Sequence, residues 1–341
     1  MKRKVFLVRK TGSLKNLACV EEQLDPPAPD EVTISVKTIG LNYADIFTVL
    51  GLYKAAPKNE AFVPGLEFSG LVEEVGSGVE RFKKGDKVMG VTKFGAYADH
   101  LNISSQYIEL LPEGWSFEEG AAFLVQALTA YYALKPLGNV QKGHAVLIHS
   151  GAGGVGILAN RIARKLGAYT IGVVGNHEKI PLLQKEKYGA GVVRSDNFKQ
   201  DVLTALDGRE LNLVLETTGG KYLKMSYDLL APTGRLIAYG SARYTPSGDK
   251  PNYLKLLWKF LTRPKIDPHA MITQNKAVMG FNLIWIYERV ELMHTLLQEI
   301  MELNLDPPYI GQKFSFEELP DALRVFRDGK TTGKLIVDLS S

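Results

Sequence analysis

Apolar and polar positions follow two different patterns along the chain. Over the first ~120 residues they alternate in short runs, such as EVTISVK at 31–37, LVEEV at 71–75 and KVMGV at 87–91. Turns rich in Gly and Pro separate these runs. Alternation with period two is typical of half-buried β-strands, so this part predicts a compact β-rich domain.

From residue 144 onward, apolar strands alternate with helical stretches. We predict strands at 145–149, 169–174, 212–215 and 235–239, and a helix at 155–166 with Leu158, Ile162 and Leu166 on one face. Strand–helix alternation indicates a parallel sheet with right-handed crossovers. An Ala-rich helical stretch at 120–134 precedes this region, and Ser116 with Glu119 forms a capping-box pattern just before it.

The last part of the chain has a mixed pattern. It predicts amphipathic helices at 290–303 and 316–326 and a final strand at 333–339. These elements could extend the parallel sheet or return to the first domain, and the pattern alone does not decide between the two.

Composition narrows the class of protein. The chain has 341 residues, which favours two domains, and its net charge of +4 is spread over mixed acids and bases. No cluster of Lys and Arg indicates nucleic-acid binding. Cys19 is the only cysteine, which excludes an internal disulfide and a cysteine-based zinc site. With no signal-peptide core and no apolar run of membrane-spanning length, we expect a cytoplasmic protein.

A glycine-rich turn carries the clearest chemistry. Gly151, Gly153 and Gly156 fit the pattern G-x-G-x-x-G, between a predicted strand and a predicted helix. Such glycines permit the tight turn, close approach of the pyrophosphate and close helix packing. The helix N-terminus offers free N–H groups and a positive dipole end. We expect a dinucleotide pyrophosphate at Gly151, Gly153, Gly154, Val155 and Gly156.

The end of the following strand distinguishes NAD from NADP. An NAD site usually carries an acidic residue there to hold the ribose 2′-hydroxyl, but this chain has Gly175 and Asn176. Lys179 follows within reach of a 2′-phosphate, and His177 could assist it. Glu178 would oppose the phosphate if it turned inward. Asn176 and Lys179 therefore favour NADPH as the cofactor.

Several segments together resemble one known family. They are GLNYAD at 40–45, PGLEFSG at 64–70, Thr129 with Ala130 and Tyr131, the glycine turn, and TGK at 332–334. With these segments the chain resembles the zinc-free quinone oxidoreductases of the medium-chain dehydrogenase/reductase superfamily. LGNVQKGH at 137–144 and an insertion at 243–281 are similar to the branch of vesicle amine transport protein homologues.

The resemblance implies an α/β fold with two domains and a cofactor cleft between them. A GroES-like β-rich catalytic domain would cover residues 1–122, and a Rossmann domain with a doubly wound parallel sheet would cover 123–265. Residues 266–341 would complete the sheet and the catalytic domain. The family likeness also implies a homodimer.

The resemblance further implies a reaction without a metal. Zinc-dependent relatives place a cysteine where this chain has Asn42 and a histidine where it has Leu66, so we expect no metal site. The implied activity is hydride transfer from NADPH to a small quinone or an α,β-unsaturated carbonyl. Without zinc an alcohol is not activated, which argues against an NAD-dependent alcohol dehydrogenase.

Roles for individual residues also follow from the family likeness. Asn42 and Tyr53 would be catalytic, with Asn42 also facing the cofactor; Asn42 would donate to the developing oxyanion, and Tyr53 would donate a hydrogen bond or a proton. Further cofactor contacts are implied at Thr129, Gly240, Ser241, Phe281, Asn282, Leu283 and Lys334. The family often has a tyrosine near position 196, where this chain has Asp196.

A second hypothesis concerns the segment YLKLLWKFL at 253–261. It is short and amphipathic, which suits a helix packed against its own protein or a second subunit. It also suits an interfacial helix. The alternative function is therefore an NADPH-binding protein with weak catalysis that associates with membranes or lipids.

Overall fold

The alternating runs near the N-terminus form antiparallel strands. The structure, a computed structural model, describes residues 1–57 and 60–340. Its first strands are β1 Lys2–Val8, β2 Leu17–Gln23, β3 Glu31–Gly40, β4 Glu67–Val75, β5 Lys87–Val91, β6 His100–Ser104 and β7 Ile108–Leu110. β1 and β2 pair with each other, while β3 pairs with β4 and β6, and β5 joins β4 to β7.

The second half forms a six-stranded parallel sheet. Its strands, in the order β10-β9-β8-β11-β12-β13, are β8 Ala145–His149, β9 Tyr169–Val174, β10 Ala190–Val193, β11 Leu211–Glu216, β12 Leu230–Ala238 and β13 Ala277–Gly280. Alternate residues of β8 face opposite sides. Val146 and Ile148 pack in the same core cluster as Leu158, whereas Leu147 packs in the cluster of Phe198. Helices thus cover both faces, as a doubly wound sheet requires.

The helices connect these strands and cover the sheets. They are α1 Tyr43–Val49, α2 Phe117–Gly120, α3 Leu124–Tyr132, α4 Gly154–Lys165, α5 Ile180–Lys185, α6 Phe198–Leu206, α7 Lys221–Leu229, α8 Tyr253–Leu261, α9 Pro268–Gln274, α10 Val290–Glu302 and α11 Leu319–Arg327. Within the described ranges, no helix is both long and apolar enough to cross a membrane.

The last part of the chain both extends the parallel sheet and returns to the first domain. β13 extends the parallel sheet beside β12. The two final strands, β14 Ile310–Ser315 and β15 Lys334–Asp338, return to the first domain, where β15 pairs antiparallel with β3. The chain therefore crosses between the domains more than once.

Two predicted helices need correction. The stretch at 120–134 is not one helix, because a turn at Ala121–Phe123 separates α2 from α3 and a π-helical turn with Pro136 follows at Ala133–Leu137. The helix predicted at 316–326 begins at Leu319, with Pro320 in its first turn. Phe316 instead packs its side chain in the core of the first domain.

Candidate active site

A cavity of about 380 Å³ lies between the two domains, at the carboxyl ends of the parallel strands. Ligands of open α/β sheets bind at this edge. The cavity brings together most of the predicted site residues, namely Asn42, Tyr53, Thr129, Gly153, Gly154, Val155, Gly156, Lys179, Gly240, Ser241, Phe281, Asn282, Leu283 and Lys334. Gly151 and Asn176 are not among its lining residues: Gly151 is buried and Asn176 is exposed.

The glycine turn has the geometry that close approach of a phosphate requires. α4 begins at Gly154, and Gly153 at its N-cap has extended backbone. A Cβ added at Gly156 would lie 2.4 Å from the Ser150 carbonyl oxygen, so a side chain there has no room. From beneath, the Tyr188 hydroxyl hydrogen-bonds the carbonyl oxygens of Gly151 and Gly156 at 2.9 and 2.7 Å.

Lys179 lies at the cavity but points across the cleft. Its ammonium group donates to the carbonyl oxygens of Thr331 and Gly329, at 2.7 and 3.2 Å. These carbonyls belong to the loop before β15. Burial lowers the pKa of Lys179. Lys179 therefore links the parallel-sheet domain to the C-terminal segment in this structure.

Arg194 is a second cation in this part of the cavity, and the sequence motifs did not identify it. It follows β10, and its Nη1 donates to the Thr218 hydroxyl at 3.2 Å. Its Nη2 lies 2.8 Å from where a Cβ of Gly175 would be, so the guanidinium sits directly against that strand end and a larger residue there would displace it. Burial lowers the pKa of Arg194, and the nearby Glu216 carboxylate opposes that shift. That carboxylate itself accepts from the backbone of the loop after β11.

Asn42 lies in a buried polar network beneath the cavity. Its Nδ2 donates to the Gly40 carbonyl at 3.1 Å and to the Glu67 carboxylate at 3.3 Å. Its Oδ1 accepts from Gln126 at 2.7 Å and from Lys334 at 3.0 Å. Both N–H groups of the Asn42 amide are therefore already engaged, and donation to a substrate oxygen would cost one of these bonds.

Lys334 and Glu67 form a fully buried ion pair in the same network. The ammonium nitrogen lies 2.7 Å from the Glu67 carboxylate, and the two residues are 3% and 0% exposed. The other Glu67 oxygen accepts from the backbone N–H of Val125 at the start of α3. Burial lowers the pKa of Lys334, and Glu67 opposes the shift. The sequence motifs did not identify Glu67 as the partner of Lys334, because the two residues are 267 positions apart.

Asp45 extends this network to Tyr97. Its Oδ2 accepts from the backbone N–H of Asn42 at 2.7 Å and from the Tyr97 hydroxyl at 2.8 Å. Complete burial raises the pKa of the Asp45 carboxyl to about 7. The Asn42–Asp45 capping box also fixes the start of α1, and so the entry of Asn42 into the cavity wall.

Tyr53 and Asn282 meet although 229 positions separate them in the sequence. The Tyr53 hydroxyl donates to Asn282 Oδ1 at 2.7 Å, and burial raises its pKa to about 12. The Tyr53 hydroxyl therefore keeps its proton at neutral pH. Tyr53, Asn282 and the buried network place donors in a cavity with largely apolar walls, where Leu66 is also a lining residue. Such an arrangement can hold an acceptor oxygen while a hydride is transferred.

The histidines offer no cluster for a metal. In the part of the chain that the structure describes, no three His, Cys, Asp or Glu residues are grouped to hold an ion. His149 is completely buried beside the Ser226 hydroxyl at 2.9 Å, and burial lowers its pKa to about 3. His100 contacts Asp99 and Glu73 on the first domain.

Comparison with known proteins identifies both domains. The family model described as an alcohol dehydrogenase GroES-like domain matches residues 28–113, and the one described as a zinc-binding dehydrogenase matches 154–298. The human synaptic vesicle membrane protein VAT-1 homolog is 30% identical over 314 residues, covering 91% of this chain and 79% of that relative. A quinone oxidoreductase of Pseudomonas aeruginosa is 31% identical over 314 residues, covering 91% of this chain and 92% of that relative.

Solved structures support the same assignment. Escherichia coli quinone oxidoreductase, in complex with NADPH, superposes with a TM-score of 0.82 at 25% identity, covering 99% of this chain and 100% of that structure. The predicted α/β fold, a GroES-like domain with a Rossmann domain, is thereby confirmed. The chain belongs to the quinone oxidoreductase family of the medium-chain dehydrogenase/reductase superfamily, which also contains the VAT-1 homologues.

Proposed function

We propose that this chain is an NADPH-dependent oxidoreductase that reduces quinones or α,β-unsaturated carbonyls without zinc. The observation that carries the proposal is a single cavity that joins the glycine turn to the Tyr53–Asn282 pair. Oxidoreduction with NADPH is what the family membership supports, since the Escherichia coli relative is an NADPH complex. The acceptor class and the absence of zinc are the parts that require direct tests.

The residues of the cleft fit NADPH. Gly153 and Gly154 leave room for a pyrophosphate at the N-terminus of α4. Arg194 supplies a half-buried guanidinium against Gly175, where an NAD site would carry an acid. Bound there, NADPH would supply the hydride for the reduction. Thr129, Gly240, Ser241 and Leu283 line the cavity and are proposed as its further contacts.

The protein's own part of the reaction is to hold the acceptor and deliver a proton. Tyr53 exchanges its bond to Asn282 for one to the acceptor oxygen, and its pKa of about 12 keeps it a donor. Phe281 lines the cavity wall and helps to exclude water. Because the N–H groups of Asn42 are engaged, we assign Asn42 to holding the buried network in place rather than to the oxyanion.

Turnover with and without metal tests the proposal. NADPH oxidation should be followed by absorbance with a panel of quinones and enones, and with NADH in parallel. We expect NADPH turnover to survive exhaustive dialysis against a chelator. No detectable NADPH binding at millimolar concentration would contradict the cofactor assignment. Activity that is lost with the chelator and restored by zinc would contradict the metal-free reaction.

A second candidate function rests on the outer surface of α8. Leu254, Trp258 and Leu261 are 82%, 63% and 65% exposed, which suits contact with a membrane surface. Flotation of the full chain with liposomes, compared with Trp258→Ser, tests this alternative. Equal flotation of the two proteins would exclude a membrane role for this helix.

Sedimentation tests the expected homodimer, and cell fractionation tests the expected cytoplasmic location.

A further inference from the structure

An apolar groove continues outward from the candidate active site. Its volume is about 660 Å³, and its lining residues are Tyr43, Ala44, Phe47, Leu52, Tyr53, Tyr239, Gly240, Ser241, Tyr244, Tyr253, Leu256, Leu257, Phe260, Phe281 and Asn282. The lining contains no Asp, Glu, Lys, Arg or His. At its inner end the groove shares Tyr53 and Asn282 with the catalytic cavity.

One face of α8 forms the outer wall of this groove. Tyr253, Leu256, Leu257 and Phe260 follow the i, i+3, i+4, i+7 spacing and therefore lie on the same side of the helix. Leu257 and Phe260 remain 54% and 50% exposed. Exposed apolar side chains in a row at the mouth of a cavity mark a binding surface.

Polar contacts cap α8 and attach its last turn to the loop after β12. Asn252 caps its first turn by accepting from the backbone of Lys255 at 2.9 Å. In its last turn, Lys259 donates to the carbonyl of Arg243, and Arg243 donates to the Thr262 hydroxyl at 2.7 Å. Arg243 lies two residues after Ser241, so the wall of the groove is attached to a loop that lines the catalytic cavity.

We propose that this groove binds the hydrocarbon tail of the acceptor, so that the substrate is a quinone or enone with a linear alkyl or isoprenoid chain. The reactive head lies at Tyr53, and the tail leaves past Phe47 and Leu52 of the first domain and Leu257 and Phe260 of α8. The assignment rests on the proposed function for the head group. Continuity with the catalytic cavity argues for a substrate tail as the occupant.

The dimensions and energetics agree with such a tail. α8 has nine residues, and nine helical residues span about 13 Å, which suits a medium-length chain. Each methylene group that leaves water gains roughly a fourfold increase in affinity. An anionic or strongly polar substituent finds no charged partner among the groove residues.

A pair of matched quinones tests the proposal. The probes are 2,3-dimethoxy-5-methyl-1,4-benzoquinone with and without a decyl chain at position 6. The double variant Leu257→Ser/Phe260→Ser removes apolar surface inside the groove. The control variant Leu254→Ser/Leu261→Ser makes the same change on the same helix, outside the lining residues. All four positions are at least half exposed, so the variants are expected to fold.

We expect the wild-type kcat/KM to favour the decyl quinone at least tenfold. The groove variant should lose most of that preference, while the control variant keeps it. Equal kcat/KM for both quinones in the wild type, or an equal preference in the groove variant and the control, would overturn the proposal.

A binding measurement separates this inference from the proposed function. Calorimetric titration of the two quinones into protein saturated with NADP⁺ reports tail binding without turnover. If no quinone is reduced but the decyl quinone still binds more tightly to the wild type than to the groove variant, the groove assignment stands and the proposed reaction fails. If the calorimetric preference is absent, the groove assignment fails.

Discussion

At the scale of single residues, we expect one cation of the cleft to select the dinucleotide. Arg194 and Lys179 both line the cavity, but Lys179 is engaged with two carbonyl groups of the C-terminal segment. Among the described residues, the Arg194 guanidinium donates to the Thr218 hydroxyl and lies over the Tyr222 ring. The nearby Glu216 carboxylate accepts from the backbone N–H groups of Thr218 and Gly219. Arg194 is therefore the better placed group to meet a 2′-phosphate.

We expect Arg194→Met to weaken NADPH binding by about 10- to 100-fold, because one charge-assisted hydrogen bond to phosphate is lost. NADH, which lacks the phosphate, should bind almost as before. Fluorescence titration with both nucleotides gives the two Kd values. Arg209→Met, at an arginine that stacks on Tyr169, is the control. A parallel loss of NADH affinity would contradict a phosphate contact and indicate a general disturbance of the cleft.

Tyr53 is predicted to act in turnover rather than in cofactor binding. Replacement by Phe removes the hydroxyl but keeps the ring in the apolar wall, so kcat should fall about a hundredfold. The NADPH Kd should stay within twofold. Tyr132 packs its ring on Phe281 but is not itself a cavity-lining residue, so Tyr132→Phe should change neither quantity. Steady-state kinetics and fluorescence titration measure the two effects. An unchanged kcat would remove Tyr53 from the mechanism.

Asp45 makes the stability of the protein depend on pH in an unusual direction. Its pKa rises from 3.8 to about 7 on folding because the ionised carboxylate is completely buried. The folded state thus holds a proton that the unfolded state releases between these values. Stability is full below pH 4 for this group, declines as pH rises toward 7, and levels off above that. The loss is on the order of 4 kcal/mol.

The isosteric variant Asp45→Asn lacks this titration. Its free energy of unfolding relative to the wild type should therefore increase from pH 5 to pH 7 by about 1.4 kcal/mol per pH unit. Urea unfolding at pH 5, 6, 7 and 8 measures the difference. Other titrating groups, such as buried His149, cancel in the comparison. A difference that does not vary with pH would show that Asp45 is ionised in the folded protein.

Residues in a recognised motif could be predicted from the sequence, and those outside one could not. The glycine turn, Tyr53 and Asn282 were predicted because local spacing or family likeness marks them, and they do line one cavity. Arg194 and Gln126 escaped notice, since their importance arises only when distant segments pack together. A solvated arginine and a buried one look the same in a single sequence.

At the scale of elements, the turn before α4 contains two glycines whose surroundings differ. A Cβ at Gly156 would lie 2.4 Å from the Ser150 carbonyl oxygen and 2.8 Å from the Gly151 Cα. At Gly153 the nearest atom is 3.3 Å away, and the backbone there suits an L-residue. We therefore expect the two glycines to serve different purposes, Gly156 in packing and Gly153 in ligand binding.

Gly156→Ala should destabilise the protein by about 1–3 kcal/mol, the usual cost of overpacking, whereas Gly153→Ala should leave stability within about 0.5 kcal/mol. Gly153→Ala should instead weaken NADPH binding, because Gly153 lines the cavity at the N-terminus of α4, where we propose that the pyrophosphate binds. Thermal unfolding and nucleotide titration of both variants measure these effects. Equal destabilisation by the two variants would contradict the division of roles.

Element boundaries were predicted where the local pattern and the packing agree. The strand at 145–149 and the helix that follows it each have a clear hydrophobic pattern, and the structure contains both elements, the helix shifted by one residue. The stretch at 120–134 has strong helical composition, yet the α2–α3 boundary is a turn beside Glu67, which caps α3 by accepting from Val125. A capping carboxylate from another domain leaves no trace in the local sequence.

At the scale of the whole molecule, the C-terminal segment joins the two domains. Before β15, the Gly333 N–H donates to the Ala152 carbonyl of the glycine turn at 2.7 Å, and Lys179 binds the same loop. One residue later, Lys334 pairs with Glu67 of the first domain. The sequence left open where this segment goes, because its apolar pattern suits either sheet.

Lys334 is expected to stabilise the fold mainly through its buried ion pair with Glu67. Lys334→Met removes one partner of a fully buried pair and leaves the Glu67 carboxylate unpaired, which should cost about 3–5 kcal/mol of stability. Adding Glu67→Gln neutralises that carboxylate and keeps an acceptor for the Val125 N–H. The double variant should recover most of the loss, so the coupling between the two sites should be large and favourable.

Urea unfolding of the wild type, both single variants and the double variant gives this coupling energy directly. NADPH titration of the same four proteins then shows whether the pair also holds the cleft together. Lys334 donates a hydrogen bond to Asn42, and its neighbour Gly333 donates one to the glycine turn. Loss of the ion pair should therefore also raise the Kd for NADPH several-fold. Additive stabilities, with no recovery in the double variant, would mean that Lys334 acts through its packing and not through its charge.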